Sequence, residues 1–249
     1  MNDRHFDELA TRFAEKIYGG AKGAIRLAVL QADLTEALPA RPLRVLDIGA
    51  GLGHMALWLA QNGHEVTLAE PAAPMLEGAR QRFADAGQTA TFVQAPWQTL
   101  GEHVQAPYDL VLCHAVLEWL AEPQDILPTL HRLCAPDGHL SLAFYNRDAL
   151  VYRNLVKGHF RKLRTNRLAG EKQSLTPQRP LDPRELRTQL APLWQVTQES
   201  GVRVFHDYMP REFQDKAALA DLLDMELAHR RHPAFAGLGR YLHWICRPR

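Results

Sequence analysis

Residues 44–70, RVLDIGAGLGHMALWLAQNGHEVTLAE, constrain this chain more than any other stretch. A short strand, Arg44 to Ile48, runs into three glycines at alternate positions, Gly49, Gly51 and Gly53. Met55, Ala56, Leu57, Leu59 and Ala60 then recur with a helical period that stops at Asn62-Gly63, and a second strand, Glu65 to Ala69, ends on Glu70. Glycines let the backbone turn sharply and approach a ligand closely. The helix behind them offers free N–H groups to polar or anionic atoms. An acid at the end of the second strand can accept hydrogen bonds from both hydroxyls of a ribose. The unit therefore reads as a nucleoside-binding βαβ.

Glycine spacing decides which nucleoside. A dinucleotide fingerprint is G-x-G-x-x-G. Here the spacing is G-x-G-x-G, with Asp47 two residues before the first glycine and Glu70 17 residues after the last. This D-x-G-x-G-x-G pattern resembles motif I of the class I S-adenosylmethionine (SAM) methyltransferases. A bare tight turn and a nicotinamide site are the competing readings, and neither calls for loop, helix, strand and acid all in these places.

At 249 residues and 46% hydrophobic, the chain can bury a substantial core. Its longest apolar runs, such as Leu110 to Cys113, are too short to span a bilayer, and MNDRHFDELATRF lacks the apolar stretch of a signal peptide. Cys113, Cys134 and Cys246 are odd in number and lie in apolar settings, which suits buried thiols in a reducing cytoplasm. No Cys/His grouping has zinc spacing, so no metal is expected. Charge is uneven: from Tyr152 to Glu185 nine basic residues (Arg153, Lys157, Arg161, Lys162, Arg164, Arg167, Lys172, Arg179, Arg184) face three acids (Glu171, Asp182, Glu185). That asymmetry suits a polyanion partner; a solvated helix face is the alternative.

His5 to Tyr18 and Ala21 to Leu38 carry helical periods, Pro71 to Ala86 and Pro123 to Cys134 read as helices, and Thr89 to Ala95 as a strand. Tyr108 to His114 is apolar almost throughout, as a strand buried on both faces should be. Pro136-Asp137-Gly138 reads as a turn before a fifth strand, His139 to Asn146. Asp182 looks like the N-cap of a helix over Pro183 to Leu190, and a helix over Arg211 to Arg231 separates strands Trp194 to Phe205 and Tyr241 to Arg247. The alternation predicts an α/β fold with a parallel sheet. Seven strands with the last pair antiparallel and helices on both faces is the Rossmann-like sheet that the methyltransferase resemblance also implies. One domain over 1–249 is expected, with N-terminal helices at 5–38 and a basic insertion or lid at about 147–181.

Ligands of such sheets bind at the C-terminal strand ends, where strand order reverses. Glu70 would hold the ribose, Pro96 and Trp97 would flank the adenine, and His114 would face the methionine half of SAM. Trp97 as a boundary aromatic and His114 as a packed strand-end histidine remain open.

Nearly end to end the chain resembles the bacterial tRNA 5-carboxymethoxyuridine methyltransferases. The resemblance rests on DR-F near the start, IYGGAKGAIR, RVLDIGAGLG, HAVLEW, LSLAFYN, the spaced residues from Ser174 to Pro183, GVRVFHDY and LGRYLH. It implies methyl esterification of a wobble-uridine carboxylate in the tRNA anticodon stem-loop. It also implies cofactor contacts at Arg26, Gly49, Ala50, Glu70, Pro96, Trp97 and His114, with Gly51 in the same loop. Glu70 stands where Asp is usual and Ala50 where glycine is common. A carboxylate nucleophile is already ionised at neutral pH, so no general base is expected. An Arg fork is the natural carboxylate holder. Arg203 is assigned that role, with His206 and Tyr208 completing a polar wall; an ion pair to Asp207 or Glu199 is the alternative for Arg203. Tyr145, Tyr18 and Asn146 are candidates at the pocket mouth, Tyr145 as a stacking surface for a splayed base. Other functions considered are a small-molecule carboxyl O-methyltransferase and a non-catalytic SAM-binding protein that interacts with RNA.

Overall fold

The computed structural model describes residues 19–166, 177 and 179–249. The expected helix over His5 to Tyr18, and with it Tyr18, Arg167, Glu171 and Lys172, lies outside the described residues. Seven strands form one sheet: β1 (Arg44–Ile48), β2 (Glu65–Ala69), β3 (Thr91–Val93), β4 (Tyr108–His114), β5 (Cys134–Tyr145), β6 (Trp194–Val202) and β7 (Tyr241–Pro248). Their order is β3-β2-β1-β4-β5-β7-β6. β1 to β5 pair in parallel, and β7 runs antiparallel between β5 and β6.

The helices are α1 (Gly20–Ala37), α2 (His54–Gln61), α3 (Ala73–Asp85), α4 (Leu127–Leu133), α5 (Arg147–Val156), α6 (Phe160–Arg164), α7 (Pro183–Leu190), α8 (Arg211–Gln214) and α9 (Leu219–His229). Alternate residues of β1 separate two cores. Val45 packs with Leu30 and Leu34 of α1, Leu59 of α2 and Phe83 of α3. Leu46 and Ile48 pack on the opposite face with Leu127 and Leu130 of α4 and Leu186 and Leu190 of α7. A strand covered by helices on both sides must be apolar throughout, which is why YDLVLCH reads as it does. Asp182 caps α7 as expected, accepting from the Arg184 N–H at 2.9 Å.

Four boundaries differ from expectation. Thr89 to Ala95 shortens to Thr91–Val93, because β3 is the sheet edge and pairs with β2 alone. Pro136 to Gly138 lies inside β5, absorbed as an irregularity opposite Tyr108 to Leu110. β6 stops at Val202, three residues early, because Arg203 takes a left-handed φ of 61°. The single helix expected over Arg211 to Arg231 is two, α8 and α9. Of the insertion expected at about 147–181, residues 147–164 are mostly helical, as α5 and α6.

Candidate functional site

Strand order reverses between β1 and β4, and the glycine loop crosses their C-terminal ends. Gly49 and Gly53 have φ of 68° and 71°. A Cβ at Gly49 would stand 2.5 Å from Val116 Cγ2, and one at Gly53 2.9 Å from Leu68 Cδ2. Both backbone handedness and space therefore demand glycine there. The N–H groups of Gly49 and Ala50 donate to the Ala69 carbonyl at 2.8 and 3.2 Å, tying the loop to β2. Glu70 completes the tie: its carboxylate accepts from Gly51 N–H at 2.9 Å and Ala72 N–H at 3.0 Å. The acid expected to hold a ribose thus also shapes the loop it faces.

A narrow cleft beside this loop is lined by Arg26, Asp47, Gly49, Ala50, Met55 and His114. Four of these, Arg26, Gly49, Ala50 and His114, were assigned to the cofactor from sequence. Pro96 and Trp97 follow β3 on the same edge of the sheet, outside that cleft. Two carboxyls here are almost fully buried. Burial, then the nearby Glu70 charge, pushes Asp47 up to about 7 against the pull of Arg26. Burial likewise pushes Glu118 up to about 7, offset only in part by the N–H groups of Glu118 and Tyr145 and by Arg26. Neither Glu118 oxygen meets a donor in good hydrogen-bond geometry. Burial holds His114 well below the ordinary histidine range, so its ring is neutral. Its Nδ1 is buried without a hydrogen-bond partner. An orphaned ring nitrogen, an arginine and left-handed glycines around one cleft fit a cofactor that carries an amino acid and a nucleoside.

Arg26 connects the cleft to a second cluster. Its guanidinium lies 4.8 Å over the Tyr241 ring, and that of Arg203 lies 5.6 Å over the same ring. Tyr241 packs edge-on against Tyr145, centroids 5.3 Å apart, and the Arg240 guanidinium lies 4.8 Å over Tyr145. Arg203 and Arg240 both approach Asp207 at 3.6 Å, an ion-pair distance too long for a hydrogen bond. Burial would raise Asp207, but Arg203, then His206 and Arg240, hold it far below the usual carboxylate range. Arg203 Nε and Arg240 Nη1 are buried with no hydrogen-bond partner. Two guanidiniums thus face one carboxylate, with donors to spare. Glu199, the other partner considered for Arg203, pairs with Arg187 instead.

The turn that presents Arg203 is held by Glu226 of α9, which accepts from the N–H groups of Val204, Phe205 and His206 at 2.7, 3.3 and 2.9 Å. His206 is buried beside Asp207, its Nδ1 3.6 Å from Oδ1. Tyr208 and Asn146 are placed differently from expectation. The Tyr208 hydroxyl donates to the Leu238 carbonyl at 2.7 Å, and its ring lines a separate apolar groove with Tyr152, Phe205, Met225 and Phe235. Asn146 caps α5 and donates to the carbonyls of Gly237 and Gly239, each at 2.9 Å, so its amide is consumed. Sequence reasoning names Asp207 only as an alternative ion-pair partner of Arg203 and does not reach Arg240, Glu118 or Glu226. Arg240, Asp207 and Glu118 lie inside the quoted motifs LGRYLH, GVRVFHDY and HAVLEW; Glu226 sits in an unremarkable helix and carries no local signal.

A methyltransferase domain family matches residues 46–140. The chain is 38% identical to the tRNA 5-carboxymethoxyuridine methyltransferase of Escherichia coli K12, over 99% of this chain and 97% of that protein. It is 33% identical to the ubiquinone biosynthesis O-methyltransferase of Pectobacterium carotovorum, over 46% of this chain and 48% of that protein. Among solved structures, the plantazolicin methyltransferase BpumL in complex with SAH superposes with a TM-score of 0.61 at 15% identity, covering 98% of this chain and 92% of that one.

Proposed function

The chain belongs to the tRNA 5-carboxymethoxyuridine methyltransferase family, a family of SAM-dependent enzymes, and from that premise we propose that it methylates the carboxylate of 5-carboxymethoxyuridine at the tRNA wobble position. The observation that carries this reading is the pairing of Arg203 and Arg240 against the single acid Asp207, on an aromatic wall shared with Arg26. A site built to hold an anionic group needs surplus guanidinium donors, and a planar fork suits a carboxylate.

When bound, SAM supplies an electrophilic methyl on its sulfonium, so the protein's task is placement. Arg26, Glu70, His114 and the glycine loop would hold the cofactor, with Pro96 and Trp97 toward the adenine. Arg203 and Arg240 would bind the substrate carboxylate, with His206 behind them; Tyr145, expected as an open stacking surface, is instead buried with Arg240 over its ring, so it would brace that guanidinium. Asp207 has a balancing role. It draws on both guanidiniums, so they hold the incoming carboxylate less tightly, and that carboxylate loses its charge as the ester forms. A carboxylate nucleophile has no proton to lose, which is consistent with a wall of arginines rather than a base.

The anticodon stem-loop is the proposed docking partner, and a cytoplasmic location follows from a tRNA substrate. The exposed basic face of α5 and α6 supports this part of the reading. Arg161, Lys162 and Arg164 stand there beside exposed Tyr152, Leu155, Val156 and Phe160. The test is mass analysis of nucleosides from tRNA of cells with and without the gene, followed by treatment of the deficient tRNA with purified protein and SAM. Loss of the methyl ester in the deficient cells and its restoration in vitro is the expected result. An unchanged nucleoside profile would overturn the proposal, and methylation of a small carboxylic acid instead would move the substrate to that class.

A further inference from the structure

Four side chains from four elements form a continuous hydrogen-bonded line that ends at the cofactor cleft. Asp33 Oδ2 on α1 lies 2.7 Å from His243 Nδ1 on β7. His243 Nε2 lies 2.8 Å from Ser141 Oγ on β5, and Ser141 Oγ lies 2.7 Å from His114 Nε2 on β4. The two imidazoles meet edge to face, 5.6 Å between centroids. Asp33, Ser141 and His243 are at most 1% exposed, so no water competes for these bonds.

The far end of the line fixes its polarity. Asp33 Oδ1 accepts from Ser200 Oγ at 3.0 Å, Arg230 Nε at 2.9 Å and Arg231 Nη2 at 2.5 Å. Burial raises the Asp33 carboxyl, but His243, Arg230 and Ser200 outweigh it and bring it down to about 2. Asp33 is therefore an acceptor only. The same two arginines also pair with Glu36, so two guanidiniums already match two carboxylates. Oδ2 needs one N–H, which His243 supplies from Nδ1; because Arg230 and Arg231 already match Asp33 and Glu36 in charge, His243 is taken as the uncharged Nδ1–H ring. His243 Nε2 is then a lone pair, which takes the Ser141 hydroxyl proton. Ser141 Oγ, with its proton spent, accepts, and His114 must donate from Nε2. One lone pair is left over, on His114 Nδ1, the buried atom without a partner on a ring that lines the cleft.

We infer that Asp33, His243 and Ser141 are positioning residues that lock His114 in its Nε2–H tautomer, so that Nδ1 meets the cofactor as a hydrogen-bond acceptor. The matching donor on SAM is its α-ammonium group, which has only N–H to offer. Arg26 in the same cleft is the complementary partner for the adjoining α-carboxylate. A buried lone pair without a donor is costly in the free protein and is relieved when a donor arrives, which favours the bound state. The inference needs SAM as cofactor but is indifferent to the methyl acceptor, so it stands or falls apart from the RNA reading.

Long-range ¹H–¹⁵N correlation on histidine-labelled protein reads the tautomer directly. Wild-type protein is expected to show His114 protonated on Nε2 and bare on Nδ1, with and without S-adenosylhomocysteine; a proton on Nδ1 would overturn the inference without any variant. Ser141→Ala removes only the hydroxyl at the midpoint. His114 is then expected to lose its single tautomer, and S-adenosylhomocysteine to bind about tenfold more weakly by calorimetry. The analogue lacking the α-amino group should bind wild type and variant alike. Equal binding of the complete ligand to both proteins, or an equal loss for both ligands, would show that the line merely braces the sheet.

Discussion

At the scale of single residues, buried carboxyls dominate the site. Glu118 would be pKa 4.5 in a solvated chain and stands at about 7 in the fold. A folded value above the unfolded one means that the folded state binds the proton more tightly. Its contribution is complete below pH 4.5 and is lost as pH climbs to about 7. Glu118→Gln keeps the shape and cannot ionise. Chemical unfolding of the cofactor-free proteins should show the variant gaining on wild type between pH 5 and pH 7, by up to about 1.4 kcal/mol per unit, and a constant gap above pH 7.5. A gap that does not change with pH would mean that Glu118 ionises as it does in water.

Glu70 makes the complementary case. Its oxygens hold Gly51 and Ala72 in place, so removing it does two things at once. Glu70→Ala is expected to weaken SAM binding strongly and also to destabilise the cofactor-free protein, each lost charge-assisted bond being worth about 1.5–3 kcal/mol. Calorimetry and thermal unfolding together check this. Loss of affinity with unchanged stability would mean that the loop keeps its shape without the acid.

At the scale of elements, the decisive feature is where β6 ends. Arg203 adopts φ 61°, and the three following N–H groups converge on Glu226, so the arginine leaves the strand toward Tyr241 and Asp207. A non-glycine residue in this conformation costs about 1–2 kcal/mol. Arg203→Gly relieves that strain while deleting the guanidinium, and it separates function from structure. The variant should keep its melting temperature within a few degrees and its SAM affinity within about twofold, yet lose methyl transfer by two orders of magnitude or more. Equal losses of stability and transfer would make the Arg203–Asp207 pair a structural bridge only.

The same end of β6 shows what a sequence can and cannot express. Val45/Leu46 alternation, the apolar run of β4 and the Asp182 cap are each written in residues that touch one another locally, and those elements stand where their patterns place them. GVRVF continues the β pattern past Val202 because nothing nearby announces that Glu226, far along the chain, will collect its backbone donors. The site divides likewise. Glycine loop, Glu70, Arg26 and His114 are legible through spacing and resemblance. The sharing of Asp207 by Arg203 and Arg240, and the line from Asp33 to His114, are made only when β5, β6, β7 and α1 come together. Tyr208 illustrates the reverse: its hydroxyl has the right chemistry for a polar wall, but the Leu238 carbonyl takes it.

At the scale of the whole molecule, charge is sorted by what already neutralises it. Of the basic run, Arg184 is paired with Asp182 and Asp148, and Arg179 with Glu122, so these two brace the start of α7 and the loop before α4. Lys157, just past the end of α5, and Arg161, Lys162 and Arg164 on α6 form no ion pair among the described residues and stand exposed. A helical pair that exposes cations together with Tyr152, Leu155, Val156 and Phe160 would suit the proposed partner, which carries phosphates and flat rings. Each phosphate contact releases condensed counterions, so log affinity for tRNA should fall with log salt by about 0.7–0.9 per contact. Replacing Arg161 and Lys162 together with alanine should therefore flatten that slope by about one to two units, weaken tRNA binding most at low salt, and leave SAM binding unchanged. Filter binding or fluorescence titration across a salt series measures the slope. A double variant with the wild-type slope and wild-type transfer rate would show that these cations face only water and that the RNA approaches from another side. A slope reduced together with SAM affinity would instead mean that α5 and α6 support the cofactor cleft.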